Sequence, residues 1–158
     1  MQKTSDIVKL LDLDPHPEDG FYKRLFEAKE VISTEAGERP ITTSIIYLLP
    51  TESYSGWHRI RSHELWFFHE GNPVHICSIV DNQIVTNIIG MTPTAMPRCE
   101  VKPDTWFAAR SRGSANYSLV SCVVSPGFDF NDFELADDSV LAMLSPEDRD
   151  LAGPLLRR

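Results

Sequence analysis

Trp57-His58-Arg59-Ile60-Arg61-Ser62-His63-Glu64-Leu65-Trp66-Phe67-Phe68-His69-Glu70-Gly71 is the stretch on which the reading of this chain turns. An imidazole is followed six residues later by a carboxylate and, seven further on, by a turn glycine, around an aromatic run. Side chains of one parity share a face of a strand, so Glu64, Trp66 and Phe68 point together, inward. His58 has the same parity and joins them if no bulge intervenes. A carboxylate on an aromatic interior face is costly unless it meets a metal, an arginine or a histidine. Glu64 therefore either serves a pocket or pairs with Arg59 or Arg61 at its mouth. His63 and His69 have the opposite parity, which predicts a rim position for His63 and an outer-face or subunit-contact position for His69.

Outward from this stretch the chain reads as short strands separated by turns. Residues 42–49 (Thr-Thr-Ser-Ile-Ile-Tyr-Leu-Leu) form a strand by composition, and 50–56 a turn. Strands follow at 65–68, 74–80, 83–89, 100–101, 105–109 and 117–124. Asp81-Asn82 is short and polar, as a tight hairpin requires. Upstream, 5–13 predicts a helix capped by Thr4 or Ser5, and Pro15-His16-Pro17-Glu18-Asp19-Gly20 breaks it. Residues 21–31 read as extended, with a polar loop through Gly37. Downstream, Phe128, Phe130 and Phe133 alternate with Asp129, Asp132 and Glu134, which predicts rings against the core and solvated acids. A helix at 139–144 and one capped by Ser145-Pro146 close the chain. This succession indicates an all-β sandwich or barrel with terminal helices, not βαβ units.

At 158 residues the chain is one domain, with a barrel at about 21–125 and a C-terminal aromatic tail and helices over 126–158. A net charge of −8 argues against nucleic acid or an anionic membrane as partner. Cys77, Cys99 and Cys122 are odd in number and lack CxxC spacing, which fits reduced thiols. No signal-like N-terminal segment and no apolar run near the ~20 residues of a membrane span is present, so the expected address is cytoplasmic.

His58, Glu64 and Gly71 match the outer positions of the first cupin motif, His-x-His, then Glu, then Gly, with Ile60 where the second histidine belongs. Lys102-Pro103-Asp104-Thr105-Trp106-Phe107 stands where the second motif supplies another histidine, and all five histidines precede residue 76. Further blocks extend the match: 15–22, 43–49, Trp106-Phe107-Ala108-Ala109 and 125–135. Over about residues 7–145 the chain resembles an uncharacterised bacterial and fungal cupin family that includes a yeast cupin-like protein. It departs from that family at Asp19, where Gly-Gly is usual, and at His63, where an acid is usual.

The resemblance implies a double-stranded β-helix jelly roll, typically dimeric. It also implies similarity to sugar-nucleotide epimerases, in which His58 matches a metal-independent imidazole base. A neutral imidazole can take a proton from carbon next to a carbonyl, and a tyrosine can return one from the opposite face. The expected catalytic set is His58 as base, Glu64 orienting or charging it, and Tyr47 as acid, with Tyr117 second. The expected ligand contacts are Trp66, Phe68, Arg59, Thr43 and Phe107. No cofactor is required. A divalent metal on His58, Glu64 and His69 or His63 is the alternative set. The leading expectation is an isomerase, epimerase or lyase acting on a carbohydrate-like or carbonyl compound. The others are a non-catalytic small-ligand binder and a metal-dependent cupin with an incomplete ligand set.

Overall fold

In the computed structural model, which describes residues 3–157, helix α1 (Thr4–Leu11) leads into β1 (Asp14–Pro15) and β2 (Phe21–Glu27). A hairpin of β3 (Val31–Thr34) and β4 (Gly37–Pro40) follows. Next come β5 (Thr43–Pro50), β6 (Tyr54–Arg59), β7 (His63–Gly71), β8 (Val74–Val80) and β9 (Gln83–Ile89). Then come β10 (Arg98–Val101), β11 (Phe107–Ser111) and β12 (Tyr117–Ser125). A 3₁₀ turn (Phe130–Asp132), β13 (Glu134–Leu135), α2 (Asp138–Ala142) and α3 (Pro146–Ala152) close the chain, with a last 3₁₀ turn at Gly153–Leu155. No helix among the described residues is long and apolar enough to cross a membrane.

Two antiparallel sheets face each other, in the orders β1-β2-β5-β12-β7-β10 and β13-β6-β11-β8-β9. This is a jelly roll. Strand parity sorts the side chains into three cores. Between the sheets lie Tyr47, Leu49, Trp66, Ile76, Phe107, Val120 and Cys122. The outward residues of β5 and β12 (Ile46, Leu48, Tyr117 and Leu119) pack under Ile7 of α1 and Leu13. Trp57, Cys77 and Ala108, outward on β6, β8 and β11, pack under Val140, Leu141 and Leu144 and the last turns. Runs such as Ile45-Ile46-Tyr47-Leu48-Leu49 are thus apolar at every position because both faces of the strand are covered.

The hairpin at Asp81-Asn82 has both residues at positive φ, 50° and 61°. That is the backbone of a two-residue turn matched to strand twist. Several expectations change. Residues 32–37, expected as a polar loop, belong to the β3–β4 hairpin. Val31 and Ile32 are exposed, so the hairpin is made by main-chain pairing and by the buried Arg39 of β4, without the apolar alternation that marks a half-buried strand. The first helix has Lys3 at its N-cap with no side-chain cap, Thr4 lying already inside it. Asp132 is buried, and Arg39 donates to it through Nε (2.7 Å) and Nη2 (3.0 Å), so only part of the acidic tail is solvated.

Candidate functional site

A cavity of about 580 Å³ lies against β2, β5, β6, β7 and β12, under the Pro15–Gly20 turn and the aromatic segment 128–135. His58 enters it from β6 because it has the parity opposite to Trp57, whose ring anchors the outer core. The ring is buried, 4.2 Å from Phe107 and stacked on Phe133 at 5.2 Å between centroids. Its Nδ1 lies 2.8 Å from the carbonyl oxygen of Gly56. A carbonyl only accepts, so Nδ1 carries the proton and Nε2 of the neutral ring is left as an acceptor. Glu18 Oε1 lies 3.4 Å from the same Nδ1.

Glu18 is buried, and Ser55 Oγ donates to its Oε2 at 3.1 Å. Its Oε1 has no hydrogen-bond partner among the described residues. Glu64 reaches the cavity from β7. Burial pushes its carboxyl up to about 8 and the negative charge of Glu18 adds to the rise, while the Cys122 thiol and Trp66 indole act against both. Burial pushes the Cys122 thiol itself well above its ordinary range, so it stays protonated. His16, on the covering turn, is pushed down to about 4 by burial first, then by His58 when that ring is protonated and by the charge of Arg157. Its ring rests 4.8 Å from Tyr22 and 4.7 Å from Tyr47.

The Pro15–Gly20 turn is seated by geometry that needs one glycine. A Cβ on Gly20, at φ +76°, would meet the carbonyl oxygen of Leu48 at 2.5 Å. Asp19 also has positive φ (77°), yet a carboxylate side chain tolerates this region when it bonds locally, as Asp19 Oδ1 does by accepting from Gly20 N at 2.8 Å. An aspartate therefore substitutes for the first glycine of a Gly-Gly pair.

Of the residues singled out from sequence, His58, Glu64 and Thr43 share the cavity wall. Thr43 Oγ1 accepts from Phe128 N at 2.9 Å and so ties the aromatic segment down. Tyr47 is buried beside the cavity, but its hydroxyl donates to the Asp19 carbonyl at 2.9 Å. Burial drives its pKa well above the ordinary value, and the hydroxyl is committed to holding the turn. Tyr117 OH donates instead to Glu70 Oε1 at 2.6 Å. Trp66 and Phe107 belong to the core between the sheets. Phe68 packs at that core's edge and does not line the cavity. Arg59 does not line it either: it pairs with Glu134 (Nε to Oε2, 2.8 Å) and lies over Trp106.

His63 and His69 leave the barrel, meeting Glu100 Oε1 (2.7 Å) and Ser121 Oγ (2.6 Å). In the sequence His16 and Glu18 read as a Pro-rich turn, either a lid over the barrel mouth or a purely structural turn, with no periodicity to aim their side chains. The sequence had no signal for Arg157, which also lines the cavity.

Residues 5–136 match the family described as Cupin superfamily (DUF985). The chain belongs to this cupin family. It is similar to a hypothetical protein from Leishmania major, with 28% identity, TM-score 0.90 and coverage of 99% of this chain and 100% of the other. A protein from Shewanella oneidensis has 31% identity, TM-score 0.87 and 99% coverage of both chains. A cupin 2 conserved barrel domain protein from Rhodopseudomonas palustris shares the fold at 18% identity and TM-score 0.59, over 89% of this chain and 81% of the other. No curated protein matches the chain.

This cupin's residues do not fit the divalent metal that the resemblance allows. Ile60 replaces an imidazole, His58 offers one free nitrogen, and His63 and His69 point away from Glu64. Among the described residues, no group of three or more His, Cys, Asp or Glu side chains converges to hold an ion.

Proposed function

We propose that this cupin is a small-molecule enzyme of the isomerase, epimerase or lyase class. It moves a proton on a carbohydrate-like or carbonyl compound without a metal. One observation carries the reading: an imidazole with its proton held on Nδ1 shares a buried cavity with a carboxyl raised to about 8. At neutral pH the raised carboxyl is a neutral acid, and His58 Nε2 in the same cavity is an acceptor, the combination proton transfer needs. His58 Nε2 takes the proton from carbon next to the carbonyl. The electron pair left behind forms the carbon–carbon double bond of an enol, and Glu64 gives its proton to the carbonyl oxygen. Reversal on the same or the neighbouring carbon restores both groups. Glu18 stabilises the imidazolium that forms, in place of the role first expected of Glu64.

Deuterium uptake from solvent tests this. Wild-type protein is incubated in D₂O with a panel of aldoses, ketoses and 2-keto acids, and loss of the C–H signal is followed by NMR. The expected result is exchange into at least one class, reduced by about 100-fold or more in His58→Gln, the lower range for a lost general base. Saturable binding with no exchange would instead favour a non-catalytic binder, a reading supported by the apolar wall of Ile45, Ile60, Val124 and Phe128.

A further inference from the structure

Arg157 lies outside the stretch that matches the family, yet its side chain reaches the two residues, Glu18 and Gly56, whose oxygens lie on His58 Nδ1. Its Nη2 donates to the carbonyl oxygen of Glu18 and, at 2.9 Å, to that of Tyr54. The guanidinium lies over the Tyr54 ring at 5.1 Å. Its stem covers Gly56 so closely that a Cβ there would sit 2.6 Å from Arg157 Cγ. Gly56 is the residue whose carbonyl holds the Nδ1 proton. The chain end is brought to this place by the outer core, where Trp57 Nε1 donates to the Ala152 carbonyl at 2.9 Å.

Few other contacts hold Glu18 where it is. Among the described residues its carboxylate accepts one hydrogen bond, from Ser55, and none reaches Oε1. Its amide N–H is taken by His16 Nδ1 within the same turn. The guanidinium is therefore a cross-brace between the covering turn and β6. A planar fork suits this because one nitrogen can serve two carbonyls while the face stacks on a ring.

We propose that Arg157 is a positioning residue: by bracing the Glu18 main chain against β6, it keeps the Glu18 carboxylate on His58. The consequence for turnover rests on the reading of His58 as the base, but the brace itself does not. The test is made on ligand-free protein, by the solvent exchange rate of the His58 Nδ1 proton in NMR, identified by its absence in His58→Gln. Arg157→Met keeps the stem and removes the donors.

The expected result is exchange faster by at least about tenfold in Arg157→Met, as for loss of one member of a coupled network. Arg157→Lys should recover part of that loss. Glu18→Ala should match Arg157→Met, and the double variant should be no faster than Glu18→Ala. Exchange in Arg157→Met within about twofold of wild type, or effects that multiply in the double variant, would overturn the proposal. A merely structural arginine lowers the melting temperature without this pattern. Failure of the deuterium-uptake assay with substrates leaves this measurement untouched, and the converse holds.

Discussion

Glu64 is the residue at which burial and chemistry pull hardest against each other. Its carboxyl has an ordinary value of 4.5 and is raised to about 8 in the fold. Below 4.5 the folded and unfolded chains are both protonated, and the group costs nothing. As pH rises toward 8 the unfolded chain releases the proton while the folded chain keeps it, so stability falls and the loss is complete above 8. Glu64→Gln removes this term. Its advantage over wild type should be near zero at about pH 4.5 and grow to a few kcal/mol by about pH 8.5, read from urea midpoints. A pH-independent difference would show that Glu64 does not titrate in this range. His16, held down at about 4, has the opposite sign: its contribution is present above 6.5 and lost as pH falls through 4. The fall in stability between pH 4.5 and about 8 therefore belongs to Glu64. Parity alone aimed His58 and Glu64 inward, because a strand has a fixed period. Nothing of the kind aimed Glu18, and the partner of His58 was missed for that reason.

At the scale of elements, helix α3 has the most legible start. Ser145 Oγ accepts from Asp148 N at 3.1 Å, with Pro146 at the first helical position. Both features were visible in the sequence, since capping is a local interaction between neighbours. Ser145→Ala should cost about 1 kcal/mol in a denaturant titration, with an unchanged m value. No loss at all would mean that packing alone holds the helix. The β3–β4 hairpin stands at the other extreme: it has no apolar alternation, and its one deeply buried side chain is the charged Arg39, so its main-chain pairing and the distant Asp132 reveal it. Phe133 is intermediate. Its alternation with acids aimed it at the barrel, but only the chain reversal through the 3₁₀ turn sets it on His58.

For the whole molecule the notable property is that every layer is shared. Trp57 and His58 are neighbours on β6, one in the outer core under the C-terminal helices and the other in the cavity. Loss of the helices would uncover Trp57 and loosen the strand that holds His58. The protein should therefore melt in a single calorimetric transition, with calorimetric and van't Hoff enthalpies equal. A separate early transition of the C-terminal segment would show that the layers are independent. By itself the sequence determined the jelly roll, the turn chemistry, the inward pair His58 and Glu64 and the loss of the second imidazole at Ile60. The turn chemistry and the inward pair follow from short-range rules of period and parity, whereas the jelly roll and the missing imidazole follow from the resemblance to the cupin motif. Only the tertiary structure decided that Glu18, from the N-terminal turn, meets His58 and that Arg157, from far along the chain, holds the Glu18 main chain. Contacts between distant segments leave no periodic mark in the chain, and they exist only once the outer core has folded the two ends onto one strand.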